Sequence, residues 1–361
     1  MRSKIHVSSI PRLLLGVLYL SACAIHPQAW SPPVQPSFQG ALQLNNALTQ
    51  VEQLSLNGYY GPEDIVMDVH GNLYCGAHSA RNDFSNGAIL KLSPDGDLSV
   101  FYEAESWVAG LHFDPDSNLI ALSHKQGLIS INKKGEVTVL ASHDEKGRPF
   151  LIPNGLDIAR DGAIYFSNTS HQASYDVKYG RKLILELNPQ GALYQYSPKT
   201  GEVKTLIEGT YFGNGVVLSK DESFLLLTET SKYRILKYWL KGNRAGTSEV
   251  LMSNLPGFPN GISIREDGSF WLGFSTVRNE ALDNIHPKKG MKKLIYALPN
   301  FLQPRQQRFG MVLNINENGE VLRGLFDPNG ILVPEAGAVK EFKGVLYMGG
   351  DLVPVISKFH L

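Results

Sequence analysis

The stretch 152–166 reads IPNGLDIARDGAIYF, and nearly the same phrase returns at 258–272 as FPNGISIREDGSFWL. A looser copy, FGNGVVLSKDESFLL, occupies 212–226. In every copy an asparagine lies eight residues before a turn residue: Asn154 before Gly162, Asn214 before Glu222, and Asn260 before Gly268. A phrase that returns with constant internal spacing indicates that the chain repeats one structural unit.

Three weaker copies extend the repeat along the chain. GPEDIVMDVHGNLY places Glu63 eight residues before Gly71, and looser copies are AGLHFDPDSNLIA at 109–121 and EAGAVKEFKGVLYM at 335–348. Six units therefore begin near residues 63, 109, 154, 214, 260 and 336, with a common step of about 45 residues. That step is the length of a four-stranded propeller blade.

The segments between these positions favour β-strands. Runs such as GAILKLSPDGDLSVFY alternate apolar and polar residues around a tight turn, which is the hairpin pattern. We therefore predict an all-β, six-bladed β-propeller over residues 43–361, since a large sandwich would not repeat its turn spacing in this way. The long steps after 154 and 260 predict lid insertions on one face, and the segments 43–56 and 355–361 are candidates for closing the ring.

The N-terminal segment has the pattern of an export signal. Basic residues precede a short apolar run, LLLGVLYLSA, that is too short to span a bilayer core of about 30 Å as a helix. We predict a signal peptide over 1–22, lipidation of Cys23 in a sequence that looks like a bacterial lipobox, and a lipid-anchored, proline-rich linker over 23–42. The alternative is an ordinary signal peptide cut near Ala22 or Ala24. Either predicts the periplasmic side of a bacterial cell envelope, with lipid anchoring to the membrane in the first case.

Composition limits the function classes. The 34 basic and 34 acidic side chains give no net charge, so a nucleic-acid partner is not expected. Cys75 follows an apolar strand pattern, which predicts a buried free thiol rather than a disulfide or a reactive group.

The repeat also predicts a metal site. If the first residue of each copy lies at the same height, Glu63, Asn154, Asn214 and Asn260 face the central channel together. One carboxylate and three amide carbonyls from separate blades form a set of hard oxygen ligands, which Ca²⁺ prefers. The alternative is that Asn-Gly only makes turns, and we assign that role to Asn329-Gly330.

Several segments resemble known families. FLLLTETS (224–231), KYRILKYWLKG (232–242) and GTSEVLMSNLPGFP (246–259) are similar to the strictosidine synthase-like family, and IPNGLDIARDGAIYFSN resembles the gluconolactonase and regucalcin group. The resemblance covers roughly 58–350. It implies a six-bladed propeller, often with a central calcium, and hydrolysis of lactones or esters in many members. The family's metal ligands fall on the same four positions, Glu63, Asn154, Asn214 and Asn260.

Two departures from the family pattern reduce the expected acidity of the site. Where relatives usually read PGFPDNI this chain reads PGFPNGI, so Asn260 replaces an aspartate. A site with one carboxylate instead of two is expected to bind Ca²⁺ more weakly, and an amide can be neither base nor nucleophile. Asn168 likewise stands where relatives show an aspartate.

Candidates for proton transfer come from strand ends. His124 is our first choice as general base, because its ordinary pKa is close to working pH; the alternative is a hydrogen-bonded loop histidine. Glu229 is the second catalytic candidate, with structural pairing to Arg234 as its alternative. Asn168, His171 and Tyr175 are expected to border the pocket. The catalytic glutamate of the synthase lies near Glu335 but is offset from it, so that role is not transferred.

These features predict a metal-dependent hydrolase of lactones or esters in which calcium polarises the carbonyl. The alternatives are a non-catalytic, calcium-stapled propeller that binds a ligand or protein, and an amine–aldehyde condensing synthase. Zinc and serine hydrolase motifs (H-E-x-x-H, C-x-x-C and G-x-S-x-G) are absent from the sequence. The expected partners are a small lactone or ester and a membrane, reached through the N-terminal lipid and through the basic segment 278–310. That segment could instead be a lid helix with a solvated basic face.

Overall fold

A computed structural model describes residues 25–299 and 302–361 of the chain. Its strands form six four-stranded antiparallel sheets arranged as a six-bladed β-propeller with helical insertions, which confirms the predicted fold class. The predicted signal peptide and Cys23 lie outside the described residues.

The first strand, β1 (Glu52–Ser55), belongs to the last blade, and five blades then follow in chain order. The first of these is β2 (Ile65–Met67), β3 (Leu73–Ala80), β4 (Asp83–Leu92) and β5 (Leu98–Ala104). The second is β6 (Val108–Phe113), β7 (Leu119–Ser123), β8 (Gly127–Ile131) and β9 (Val137–Ala141). The third is β10 (Pro153–Ile158), β11 (Ile164–Asn168), β12 (Gly191–Ser197) and β13 (Glu202–Thr210).

The remaining blades complete the ring. The fourth is β14 (Gly213–Leu218), β15 (Phe224–Glu229), β16 (Arg234–Trp239) and β17 (Ser248–Met252). The fifth is β18 (Gly257–Ile264), β19 (Phe270–Val277), β20 (Gly310–Ile315) and β21 (Val321–Asp327). The sixth is β22 (Ala338–Phe342), β23 (Val345–Gly349) and β24 (Val355–His360), with β1 as its outer strand. Gln53 of β1 lies opposite Ser357 of β24, so the two predicted closing segments pair as expected.

The eight-residue spacing of the repeat corresponds to a turn between the first two strands of a blade. The turn residue has a positive φ in all six blades: Gly71 (85°), Ser117 (64°), Gly162 (88°), Glu222 (55°), Gly268 (88°) and Gly344 (75°). Glycine adopts this left-handed conformation without steric cost, which explains why four of the six positions are glycine.

The Asn-Gly pairs of the repeat do not form turns. Asn154-Gly155, Asn214-Gly215 and Asn260-Gly261 lie inside the inner strands β10, β14 and β18, each within an irregularity of the strand register. A β-bulge re-aims a side chain, so the irregularity turns each asparagine toward the channel. Asn329-Gly330, outside these inner strands, makes a turn as predicted, with Gly330 at φ 55° and its N–H donating to Asp327 O at 2.9 Å.

The glycines of these pairs permit close packing of neighbouring blades. A Cβ on Gly155 would lie 2.7 Å from Asn214 O, and one on Gly215 would lie 2.6 Å from Asn260 O. Real Cβ atoms essentially never approach backbone so closely. The inner strands can therefore surround a narrow channel only because these positions lack a side chain.

The apolar core lies between adjacent blades. Ile89 and Val66 of the first blade pack with Leu111 and Ile129 of the second, and the same arrangement recurs around the ring. Cys75, in β3, is buried in such a cluster as predicted, and burial raises the pKa of its thiol to about 12.

The long steps of the repeat contain the helices. Helix α1 (Val177–Glu186) separates β11 from β12, while α2 (Glu280–Ile285) and α3 (Lys289–Ala297) separate β19 from β20. Leu185 of α1 and Tyr296 of α3 share one apolar cluster. The two insertions therefore meet on one face of the propeller, and together they are called the lid below.

Residues 25–39, called the strap below, pack on the protein instead of leading away from it. The N–H of Gln28 donates to Glu186 O at 2.7 Å, and that of Trp30 donates to His286 O at 3.2 Å. Further along, Asn254 donates its side-chain N–H to Val34 O at 2.9 Å. The strap has neither helix nor strand, and these contacts bind it to the lid and the propeller.

The basic segment 278–310 has exposed lysines, such as Lys288 and Lys289, and one buried lysine. Lys292 of α3 is fully buried, and its ammonium donates to Gln28 O of the strap at 2.7 Å. Met291 and Leu294 are instead exposed, at 42% and 50%. Within the described residues, no helix combines the length and apolarity needed to cross a membrane.

Candidate functional site

The four predicted metal ligands line one cavity. Glu63, in the loop before β2, and the three asparagines of β10, β14 and β18 all border a space of about 30 Å³ between the inner strands. Asn154, Asn214 and Asn260 are called the asparagine ring below. A space of this size suits a single small ion or water.

The amide groups of the asparagine ring are oriented by hydroxyls. Each amide nitrogen donates to a hydroxyl of its own blade: Asn154 to Thr169 Oγ1 at 3.5 Å, Asn214 to Thr230 Oγ1 at 3.4 Å, and Asn260 to Ser275 Oγ at 2.9 Å. Two of these hydroxyls donate in turn to the next blade: Thr169 to Gly213 O and Thr230 to Pro259 O, both at 2.7 Å. These hydroxyls therefore orient the amides, and Asn260 also lies within hydrogen-bonding reach of Glu63.

Glu63 is buried with one oxygen that makes no hydrogen bond. Its side chain is 7% exposed, and Oε2 has no donor. Burial and the neighbouring carboxylates of Asp351 and Glu335 raise the pKa of Glu63 well above its ordinary value. A Cβ on Gly337 would lie 3.3 Å from Glu63 Oε2, so the glycine leaves open space beside that oxygen.

Glu63, Glu335 and Asp351 form an acidic cluster that the sequence did not predict. Glu335 accepts hydrogen bonds from Leu352 N at 2.6 Å and from Gln306 Nε2 at 3.2 Å, and burial raises the pKa of its carboxyl to about 8. Asp351 follows β23 and belongs to no repeated pattern. Its proximity to Glu63 results from the packing of the last blade against the loop before the first.

His124 directly follows β7 and lies among aromatic side chains. Its Nε2 is buried without a hydrogen-bond partner, and burial lowers the pKa of its imidazole to about 4. Its ring packs at 5.2 Å from Trp107 and 6.4 Å from Tyr175. The imidazole is therefore neutral at physiological pH and has a free nitrogen.

Tyr175 is the predicted pocket residue that reaches the site. After burial, the carboxylates of Asp351, Glu63 and Glu335 raise the pKa of its phenol well above the ordinary value, which places this side chain over the acidic cluster. It also contacts Phe84, with ring centroids 5.0 Å apart. The lid thus places an aromatic residue near the acidic cluster.

Asn168 and His171 have structural roles instead. Asn168 is fully buried, and its Oδ1 accepts from Ile152 N at 3.1 Å. Both ring nitrogens of His171 have partners, Pro149 O at 2.7 Å and Tyr194 OH at 2.8 Å. Neither residue lines the cavity of the asparagine ring.

Glu229 also has a structural role, as the alternative interpretation proposed. Its carboxylate is fully buried, forms an ion pair with Arg234, and accepts from Tyr211 N at 2.7 Å. Both oxygens are occupied in holding the end of β15, so Glu229 has no oxygen free for proton transfer.

A substitution separates the two roles of Glu229. Glu229→Gln should lower the free energy of unfolding by about 2 kcal/mol, because a charge-assisted hydrogen bond is lost. Denaturant titration measures this change, and the affinity for calcium should stay that of the unsubstituted protein. A variant of normal stability with no activity would instead return Glu229 to the catalytic residues.

The donor set suits a hard cation. Among the residues that the structure describes, no group of three or more His, Cys, Asp or Glu side chains is arranged to hold a metal. The predicted set contains only one such residue, and its other members are amides, which are oxygen ligands typical of calcium sites. The buried, unpaired oxygen of Glu63 and the oriented amides fit calcium better than zinc, which binds nitrogen and sulfur.

Comparison with known proteins identifies the family. The strictosidine synthase family model matches residues 154–243, and the strictosidine synthase-like N-terminal model matches 40–80. The adipocyte plasma membrane-associated protein of Rattus norvegicus is 30% identical over 367 residues, which cover 96% of each chain. The chain belongs to the strictosidine synthase-like family.

Solved structures with the same fold have low sequence identity to this chain. A gluconolactonase from Xanthomonas campestris superposes with a TM-score of 0.62 at 18% identity, covering 93% of this strictosidine synthase-like chain and 97% of its own. A calcium-binding protein, regucalcin, from Agrobacterium tumefaciens superposes with a TM-score of 0.57 at 13% identity, covering 86% and 93%. At such identities the likeness shows the six-bladed fold and no more.

The predicted location in a bacterial cell envelope is wrong. Relatives of this strictosidine synthase-like protein come from vertebrates and from Arabidopsis thaliana, and the mammalian ones are named as plasma membrane-associated. The prediction rested on a short apolar run followed by Ser-Ala-Cys. So short a pattern does not specify the organism or the compartment.

Proposed function

We propose that this strictosidine synthase-like protein hydrolyses lactones or esters at the mouth of its central channel, using a calcium ion held by Glu63 and the asparagine ring. The observation that carries the proposal is the buried, unpaired Oε2 of Glu63 beside a cavity lined by three amides. A buried carboxylate oxygen without a partner is costly, and a cation would satisfy it.

Different residues of the site would bind the ion and orient its ligands. Bound calcium would act as a Lewis acid that polarises the substrate carbonyl and stabilises the oxyanion. Glu63 supplies negative charge to hold the ion, while the hydroxyls of Thr169, Thr230 and Ser275 fix the amides so that their orientation need not change during the reaction.

His124 is the residue placed to move a proton. Its free Nε2 can accept a proton from the attacking water, and its low pKa keeps this nitrogen unprotonated at neutral pH. Trp107, Phe84 and Tyr175 provide apolar surface beside it for the organic part of a substrate. Because Tyr175 covers the acidic cluster, substrate entry is expected to require displacement of this part of the lid.

A second function is supported by Asn260. In the position that relatives fill with aspartate, its amide cannot act as base or nucleophile. A calcium-stapled propeller that binds a ligand without turning it over is therefore the competing proposal, and the same experiment separates the two.

The test is a panel of lactones and aryl esters assayed with calcium and with excess chelator. Turnover should depend on the metal and should be lost in Glu63→Gln, which removes a charge from the site. Glu103→Gln, a matched change on the exposed surface of β5, should leave the rate unchanged. Turnover that survives the chelator would contradict the proposal, and calcium binding without turnover of any substrate would favour the binding protein.

A further inference from the structure

We propose that Asp351 is a second carboxylate ligand of the calcium site, and that it supplies the charge lost where Asn260 replaces an aspartate. The proposal rests on the calcium ion of the proposed function, and it adds a ligand from a loop of the last blade to those of the inner strands.

The backbone of the last blade places Asp351 beside Glu63. Gly61 donates its N–H to Val353 O at 3.0 Å, and a Cβ on Gly349 would lie 2.1 Å from Pro62 O. The loop that carries Glu63 is thus packed directly against the loop that carries Asp351. The carbonyl oxygen of Asp351 is held as well, at 2.7 Å from Nε2 of the buried His78.

Two unpaired oxygens meet at this contact. Oε2 of Glu63 and Oδ1 of Asp351 are both buried, and neither has a hydrogen-bond partner among the described residues. Glu63 itself is 93% buried, being 7% exposed. The two carboxyl groups lie within hydrogen-bonding reach of each other, so they repel one another unless a proton or a cation lies between them.

Glu335, the third carboxylate of the acidic cluster, is not a proposed calcium ligand because its oxygens already accept hydrogen bonds. Both oxygens of Glu335 already accept donors, from Leu352 N and Gln306 Nε2. Glu335 therefore serves as a matched neighbour of the same charge whose oxygens are occupied. Glu63, Asp351 and the asparagine ring give two negative charges and five oxygen-bearing side chains.

Five protein ligands suit a calcium ion that also binds a substrate. Calcium takes six to eight oxygen ligands, so five from the protein leave positions for water and a substrate carbonyl. With Asp351 as a ligand, the site carries two negative charges although residue 260 is an amide.

The test is isothermal titration of the full chain with calcium chloride, together with thermal melting in excess chelator. Asp351→Asn should weaken calcium binding on the order of 10- to 100-fold. It should also raise the melting temperature of the calcium-free protein, because one of two repelling charges is removed. Glu335→Gln should change the affinity far less, and Asn260→Asp combined with Asp351→Asn should recover most of the lost affinity.

The outcomes separate this inference from the proposed function. Unchanged affinity in Asp351→Asn overturns the inference even if metal-dependent hydrolysis is found, and so does an equal loss in Glu335→Gln. Weakened binding that Asn260→Asp restores supports the inference even if no substrate is turned over. A protein that binds no calcium at all overturns both.

Discussion

Replacing Gly215 with alanine is expected to destabilise the propeller by about 3 kcal/mol or more, although it adds a single methyl group. The new Cβ would lie 2.6 Å from Asn260 O, 2.8 Å from Ile262 N and 2.9 Å from Gly261 Cα. All three atoms belong to the backbone of the next inner strand, so no side chain can rotate away. The two blades must separate, and the asparagine ring must widen with them.

Gly290 provides the matched control. It lies in α3 with open space around its Cβ direction, so Gly290→Ala should leave the fold intact and stabilise it by roughly 0.5–1 kcal/mol through helix propensity. Chemical denaturation of both variants measures the contrast. Equal stabilities would show that the blades do not pack as closely as the structure indicates. Calcium affinity should fall in Gly215→Ala and stay constant in Gly290→Ala.

The repeat could be predicted from the sequence because each blade depends on short-range features of the chain. Each turn residue needs a left-handed backbone, and each blade repeats its alternation of apolar and polar residues around that turn. The backbone structure of the Asn-Gly pairs could not be predicted in the same way. At Asn329 the pair makes a turn, whereas at Asn154 it forms part of a bulged inner strand, and the difference depends on which strand lies alongside.

The rest of the site depends on contacts between distant parts of the chain. Asp351 approaches Glu63 only because the last blade closes the ring against the first. The spacing of residues along the sequence does not indicate this contact. Lys292 is buried because the strap supplies Gln28 O as an acceptor, a contact between residues 264 positions apart. His124, by contrast, follows β7 directly, and that position at a strand end could be predicted from the repeat.

Substituting His124 with glutamine should lower kcat/KM by roughly 10²- to 10⁴-fold, the usual contribution of a general base. The pH dependence distinguishes loss of a base from a change of shape. Since burial lowers the pKa of His124 to about 4, the unsubstituted enzyme should keep its activity below the ordinary histidine pKa near 6.5 and lose it only near pH 4. The acid limb should be measured at saturating calcium with a substrate from the panel, and it should disappear in His124→Gln.

The free energy of unfolding should also decrease as the pH falls. A histidine whose pKa is lowered in the folded protein stabilises the fold above pH about 6.5, and this contribution is lost as the pH falls toward 4. His124→Gln should flatten that part of the stability profile. His171→Gln is the control, because its ring is hydrogen-bonded on both sides away from the acidic cluster and should affect stability without moving the acid limb. An acid limb near pH 6.5 that persists in His124→Gln would assign the base to another residue, because a buried, unpaired imidazole cannot titrate there.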